Sequence, residues 1–194
     1  LSEVSNENQE EIATILEQTE KLDFLIQSLV KLSRMESGII AVHSEDTTIK
    51  QMLESIQQQF NVKVREKNIT LSLCDTDLHV RCDSKWTVEA LGNIVDNAIK
   101  YTACGGNVQV KAEQNSFFVK IDIIDDGIGI EKEEIPKIFG RFYRSLSVSD
   151  QPGVGIGLFL AREIIQAQKG YIKVTSKRGK GSTFSVFLPI AKKE

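Results

Sequence analysis

Metal-binding and disulfide-forming residues are scarce in these 194 residues. There are two histidines and three cysteines, Cys74, Cys82 and Cys104, with no C-x-x-C pair among them. An odd, unpaired set speaks against a stapled secreted scaffold or a zinc site and for reduced thiols. No apolar run approaches the roughly 18 residues that a membrane span needs, and no signal-peptide pattern opens the chain. Charge of one sign is also lacking: a net charge of −3 gives no electrostatic reason to expect nucleic acid as the main partner. Internal repeats and low-complexity tracts are absent. Two familiar phosphate-binding signatures are missing as well, because no G-x-G-x-x-G opens a βαβ unit and no G-K-[ST] occurs. The chain starts at Leu1 and not at Met, so a fragment is expected, of a longer parent with room for a membrane anchor. What remains, 41% hydrophobic and 26% charged, suits one domain with a core plus a small appendage.

Apolar residues first recur with helical spacing. Ile12, Ile15, Thr19, Leu22, Ile26, Leu29 and Ser33 follow a 3-4 pattern, so residues 4–36 read as one long helix, stopped by Gly38. Leu16, Leu25 and Leu32 widen the stripe and favour a helix bundle over a two-stranded seam. Such a helix needs a partner helix, and no comparable one follows. Residues 38–47 read as a linker with a short extended piece. A domain from 48 to 194 follows: a helix at 48–67, strands at 69–75 and 78–82, and a helix from Asp83 or Ser84 to about 103. Residues 107–113 and 117–124 alternate and form a hairpin across "QNS". A short helical piece near 131–138, a helix at 156–169 with Gly170 as its left-handed C′ residue, and strands at 171–176 and 182–188 complete the list. Helices interleave with hairpin-joined strands without a βαβ repeat. The fold class expected is α/β: a two-layer sandwich, one mixed sheet covered by helices on one face.

Three stretches carry polar chemistry. On helix 84–103, Asn93, Asn97 and Lys100 fall within about 60° of one another, away from the apolar face, with Tyr101 beside them. A solvated face would look similar. Two asparagines one turn apart nevertheless weaken a helix, while amide oxygens suit Mg²⁺ and a lysine suits phosphate. Strand 117–124 then delivers Asp125 ahead of Gly127 and Gly129. A carboxylate there can accept from an exocyclic amine, and the glycines let a flat ring lie against the backbone; an ordinary acidic turn reads the same way. Finally "GVGIGLFLA" alternates Gly153, Gly155 and Gly157 before Leu158, as a phosphate-binding helix start or a hinge would. Between the glycine clusters, Phe139, Phe142 and Tyr143 read as anchors, and Arg141 and Arg144 as groups able to reach a phosphate, in a segment built like a lid.

Taken in order, Asn-x-x-x-Asn-x-x-Lys-Tyr, Asp-x-Gly-x-Gly, Phe-x-Arg-Phe-Tyr-Arg and Gly-x-Gly-x-Gly-Leu resemble the asparagine, first glycine, phenylalanine and second glycine boxes of sensor histidine kinases of two-component systems. "GKGSTFSVFLP" (179–189) is similar to the family's closing strand, and residues 4–40 to the second helix of its dimerisation and phosphotransfer hairpin. The resemblance implies the Bergerat ATP-binding fold shared with gyrase B and MutL. By position it implies that Asp125 holds the adenine amino group, with Gly127 and Gly129 shaping that pocket and Thr183 assisting through a water. Asn97 would bind Mg²⁺ with Asn93 nearby, and Lys100, Tyr101 and Arg144 would contact phosphates. Gly153, Gly155 and Gly157, followed by Leu158, would close the lid. It further implies a cytoplasmic piece of a membrane-anchored bacterial sensor, dimeric in full, passing phosphate to a response regulator, with no nucleic-acid partner and no membrane contact by this segment.

One family feature is missing. The phosphate-accepting histidine stands in a His-Glu-x-x-x-x-Pro motif, and no such motif occurs; His43 lies in "AVHSED" and His79 in "LHVRC". ATP binding without self-phosphorylation is therefore expected. Three other readings remain open from these residues: an ATP-driven dimerisation clamp like gyrase B or MutL, a serine kinase of the anti-sigma type, and a degenerate pocket used only for dimerisation.

Overall fold

A computed structural model describes residues 11–12, 14–16, 18–19, 22–23, 25–27, 29–30, 33, 42–145, 148 and 153–191. The chain divides into two units, residues 1–41 with 152–154, and residues 42–151 with 155–194. In the first, the described residues between 11 and 33 are helical. The apolar stripe expected there is bare: Ile12, Ile15, Leu16, Leu22, Ile26 and Leu29 are all exposed, Ile15 by 64%. The expected ends of this helix and the stop at Gly38 lie outside the described residues.

The second unit holds ten elements. Strand β1 (Glu45–Thr48) leads into α1 (Ile49–Glu66), then β2 (Thr70–Leu73), β3 (His79–Cys82) and α2 (Ser84–Tyr101). The hairpin β4 (Asn107–Gln114) and β5 (Phe118–Asp125) precedes α3 (Gly157–Ala167), β6 (Tyr171–Ser176) and β7 (Ser182–Pro189). Five strands form a mixed sheet in the order β2-β4-β5-β7-β6, in which β2 runs parallel to β4 and all other neighbours are antiparallel. The sandwich expected from the sequence is present, with one addition. Residues 45–47, expected in the linker, pair with β3 as a separate two-stranded ribbon. Only four residues long and reading EDTT, β1 has too little alternation to signal a strand.

Alternation decides which face each strand residue serves. Along β5, Val119, Ile121, Ile123 and Asp125 are buried, while Phe118, Lys120, Asp122 and Ile124 are half-exposed on the other face. Against the buried face lie Ile49, Met52 and Ile56 of α1, Leu91, Ile94 and Val95 of α2, and Ile164 and Ile165 of α3, all at most 1% exposed. Caps set where the helices begin. Thr48 accepts from Gln51 N at 3.4 Å, and Asp83 accepts from Trp86 N at 3.2 Å. At the far end of the β4–β5 hairpin, Asn115 Oδ1 accepts from Phe117 N at 3.0 Å and Phe118 N at 2.8 Å.

Two expectations are corrected. Residues 132–139 form a string of tight turns and no regular helix; Glu134 N donates to Glu131 O at 2.9 Å and Lys137 N to Glu134 O at 2.8 Å. After α3 the left-handed position is held by Lys169, at φ +62°, one residue before Gly170. Gly170 N donates to Ile165 O and Lys169 N to Gln166 O, each at 2.9 Å, which closes the helix with lysine in the glycine's usual place. Gly170 serves instead where the backbone approaches Phe187 O too closely for a side chain.

Gln168 joins α3 to α2. Its Oε1 accepts from Asp83 N at 2.6 Å and from the Thr87 hydroxyl at 3.2 Å, and its Nε2 donates to Ile164 O at 3.2 Å; it is 4% exposed. Gln168→Leu strands two buried donors and is expected to cost about 1–3 kcal/mol in urea unfolding. A midpoint unchanged from wild type would refute the assignment of this tie.

Candidate functional site

Asp125 ends β5 with only 7% of its surface exposed. One oxygen, Oδ1, accepts from Gly127 N at 2.9 Å and from Ser182 N at 3.2 Å. The other accepts no hydrogen bond among the described residues. Burial raises the carboxyl above the ordinary aspartate range, and the two N–H donors only partly offset it. Its neighbour Asp126 is exposed and does a different job. It accepts from Asn107 N at 2.9 Å and Asn107 Nδ2 at 2.8 Å, bonds that lower its pKa and close the turn.

The loop after Asp125 leans on the end of α2. Ile128 N donates to Tyr101 O at 3.2 Å, and a Cβ at Gly127 would lie 2.5 Å from that same carbonyl oxygen. Gly129, at φ +65°, faces Lys177 O so closely that no side chain fits. Its flank is held by Gly179 N donating to Ile128 O at 2.7 Å and Ile130 N to the Ser176 hydroxyl at 2.8 Å. The result is a loop packed closely on both sides, next to a buried carboxylate with one oxygen to spare.

Along α2 the polar residues are half-buried, not fully solvated. Asn93 Nδ2 donates to Glu89 O at 3.0 Å, leaving Oδ1 as an acceptor beside Gly157, where a Cβ would lie 3.0 Å away. Asn97 stands one turn further along the same helix. The Lys100 ammonium sits 5.0 Å from the Tyr101 ring centroid. Burial and then the charge of Arg144 hold Lys100 below the ordinary lysine range, while burial lifts the Tyr101 phenol above its own. Two cations are thus held close together in a partly desolvated place.

From the segment between the glycine clusters, Arg144 Nη2 donates to Val148 O at 3.1 Å, and the Tyr143 hydroxyl donates to Glu134 Oε1 at 3.2 Å. Gly155, at φ +78°, lies against the backbone of Phe142 and Tyr143. Gly157 and Leu158 form the first turn of α3, which has no side-chain cap, so its leading N–H groups lack intrahelical acceptors. Gly153 falls within the other unit.

Residues 82–192 match the family model of the histidine kinase-, DNA gyrase B-, and HSP90-like ATPases. The chain belongs to this family. Among sensor histidine kinases it is similar to WalK of Bacillus subtilis, 33% identical over 177 residues that cover 89% of this chain and 29% of WalK. SrrB of Staphylococcus aureus is 29% identical over 188 residues, 95% of this chain and 32% of SrrB. The chain therefore spans about a third of the curated relatives it matches. The solved mycobacterial sensor histidine kinase MprB superposes with a TM-score of 0.68 at 26% identity, over 76% of this chain and 98% of that one.

One of the singled-out residues lies on the other face of the sheet from Asp125. Strand register pairs Thr183 with Ile124 and Thr175, on the open face of the sheet, opposite to Asp125. Ser182 takes the place beside the carboxylate: it pairs with Asp125, is 7% exposed, and shares a 3.0 Å contact with the Ser176 hydroxyl. Counting alternation back from buried Phe184 assigns Ser182 to that face from the sequence alone.

Gly129→Ala forces a side chain into left-handed backbone against Lys177 O. It is expected to lower unfolding free energy by about 1–3 kcal/mol, read from the shift in thermal midpoint.

Proposed function

We infer that this chain is the ATP-binding catalytic core of a sensor histidine kinase, serving transfer of the γ-phosphoryl group of ATP to a histidine on a dimerisation hairpin. The observation that carries the reading is the buried Asp125 carboxylate, with Oδ1 tied to its own scaffold and the other oxygen accepting no hydrogen bond among the described residues. A purine amino group is the donor that such an oxygen suits, while Gly127 and Gly129 let the loop beside it pack against Tyr101 O and Lys177 O. Lys100, Tyr101 and Arg144 then stand on the phosphate side. The cations, already crowded at half-buried positions, gain from an anion what they lose in desolvation. Gly153, Gly155 and Gly157, with Leu158, act as the hinge of a lid, and the open N–H groups of α3 favour a phosphate.

No group of three His, Cys, Asp or Glu among the described residues could hold a metal ion by itself. Asn93 Oδ1 and the amide oxygen of Asn97 nevertheless fit Mg²⁺, a cation that draws most of its ligands from phosphates and water. When bound it supplies charge neutralisation. The protein's own part is to hold the nucleotide and present its terminal phosphate, since phosphoryl transfer is catalysed chiefly by positioning and electrostatics. The residues up to 37 supply the second helix of the hairpin, and their exposed stripe is the surface its partner helix covers in the full-length homodimer. Relay to a response regulator follows from the same reading, as does a bacterial, cytoplasmic setting beneath a membrane-anchored sensor. Among the described residues no helix is long and apolar enough to cross a membrane.

Two experiments test this. Binding needs Asp125 ionised and Lys100 protonated. The first has a raised pKa, so affinity is expected to fall with acidity sooner than for an ordinary aspartate. The second has a lowered pKa, so affinity falls with alkalinity sooner than for an ordinary lysine. A fluorescent ATP analogue titrated against pH reads both limbs; Lys100→Met should remove the alkaline one, and Asp125→Asn should reduce affinity at least about tenfold by losing a charge-assisted bond. In the second, γ-labelled ATP is incubated with this chain alone and with a supplied intact hairpin domain. Acid-labile label is expected on the hairpin only. Acid-labile label on this chain when it is incubated by itself would sink the expectation that it carries no acceptor, because neither His43 nor His79 lies in an acceptor motif.

A further inference from the structure

The two halves of the site meet at the C-terminus of α2, where the last carbonyls of a helix have no donors of their own. Here the donor comes from another helix. Lys67, the cap residue of α1, donates from Nζ to Ile99 O at 2.9 Å and to Lys100 O at 2.6 Å. Its own backbone is fixed in turn: its N–H donates to Lys63 O at 3.1 Å, and its carbonyl accepts from Gly105 N at 3.3 Å. The next carbonyl along α2, Tyr101 O, is the one that receives Ile128 N and abuts Gly127. One half-buried ammonium thus fixes the peptides immediately before the point from which the Asp125 loop hangs. Its charge also complements the negative end of the helix dipole.

We propose that Lys67 is a positioning residue of the nucleotide site. Touching no ligand, it holds the last turn of α2 so that Lys100 and Tyr101 stay aimed at the phosphates while the 125–129 loop keeps the purine in register with them. The inference rests on the nucleotide reading above. It differs from a general role in stability, because α1 and α2 are joined elsewhere by buried side chains and by the exposed Lys63–Asp96 pair at 2.6 Å. Without Lys67 the helices stay together and only the final turn loosens.

The test titrates wild type, Lys67→Met and Lys67→Arg with ATP and with AMP, each in Mg²⁺, and takes the folded fraction from circular dichroism at the same temperature. Failure of wild type to bind ATP overturns the nucleotide reading, and this inference with it. With wild type binding, Lys67→Met is expected to weaken ATP about tenfold and AMP less than about twofold after correction for folded fraction, the scale of lost charge-assisted bonds. Lys67→Arg should recover most of the ATP affinity, since a guanidinium can span the same two carbonyls. Unchanged ATP affinity, equal losses for both nucleotides, or a loss that disappears on correction for folding overturns the assignment even though wild type binds.

Discussion

A single oxygen, Oδ1 of Asp125, joins three segments that are distant in sequence: the end of β5, the loop at Gly127 and the start of β7 at Ser182. The close packing around the carboxylate is organised by this junction. The loop can lean on Tyr101 only because Gly127 is tethered first. The 177–181 turn can wall off Gly129 only because β7 begins beside the carboxylate, so close that Gly181 admits no side chain against Asp125 O. The residue is therefore a girder with one oxygen to spare. Keeping such a carboxylate buried is unfavourable, and its raised pKa expresses that. The two backbone donors make the burial tolerable while leaving the second oxygen for another donor.

The opposite side of the site inverts this arrangement. Lys100 and Arg144 repel each other in a partly desolvated setting, and no buried carboxylate acts on Lys100, whose main favourable charge is the half-exposed Asp96. A cationic end and a structurally committed acidic end thus differ in both charge and hydrogen bonding.

Much of this was legible in advance. Alternation along 107–113 and 117–124 found the central hairpin, and the apolar face of helix 84–103 placed Asn93, Asn97 and Lys100 together. What escaped notice did so for identifiable reasons. β1 is too short to show a period. Lys169 adopts the left-handed conformation that glycine ordinarily marks, because Gly170 beside it is needed for close approach to Phe187 O. Thr183 and Ser182 adjoin, and the alternation along β7 together with its register puts Ser182 on the face of Asp125. Lys67 gave no sign at all. A lysine at a helix end is ordinary, and its partners lie more than thirty residues away.

The turn at Asn115 stands at the other end of β5. Eight residues at roughly 3.3 Å each separate it from Asp125 by about 25 Å. It is closed by its own side chain, which accepts from Phe117 and Phe118, and Ile190 N donates to Phe117 O at 3.2 Å. That makes it the domain's natural port: a fluorophore, affinity tag or inserted peptide attached there reports on the protein from the end of β5 opposite to Asp125.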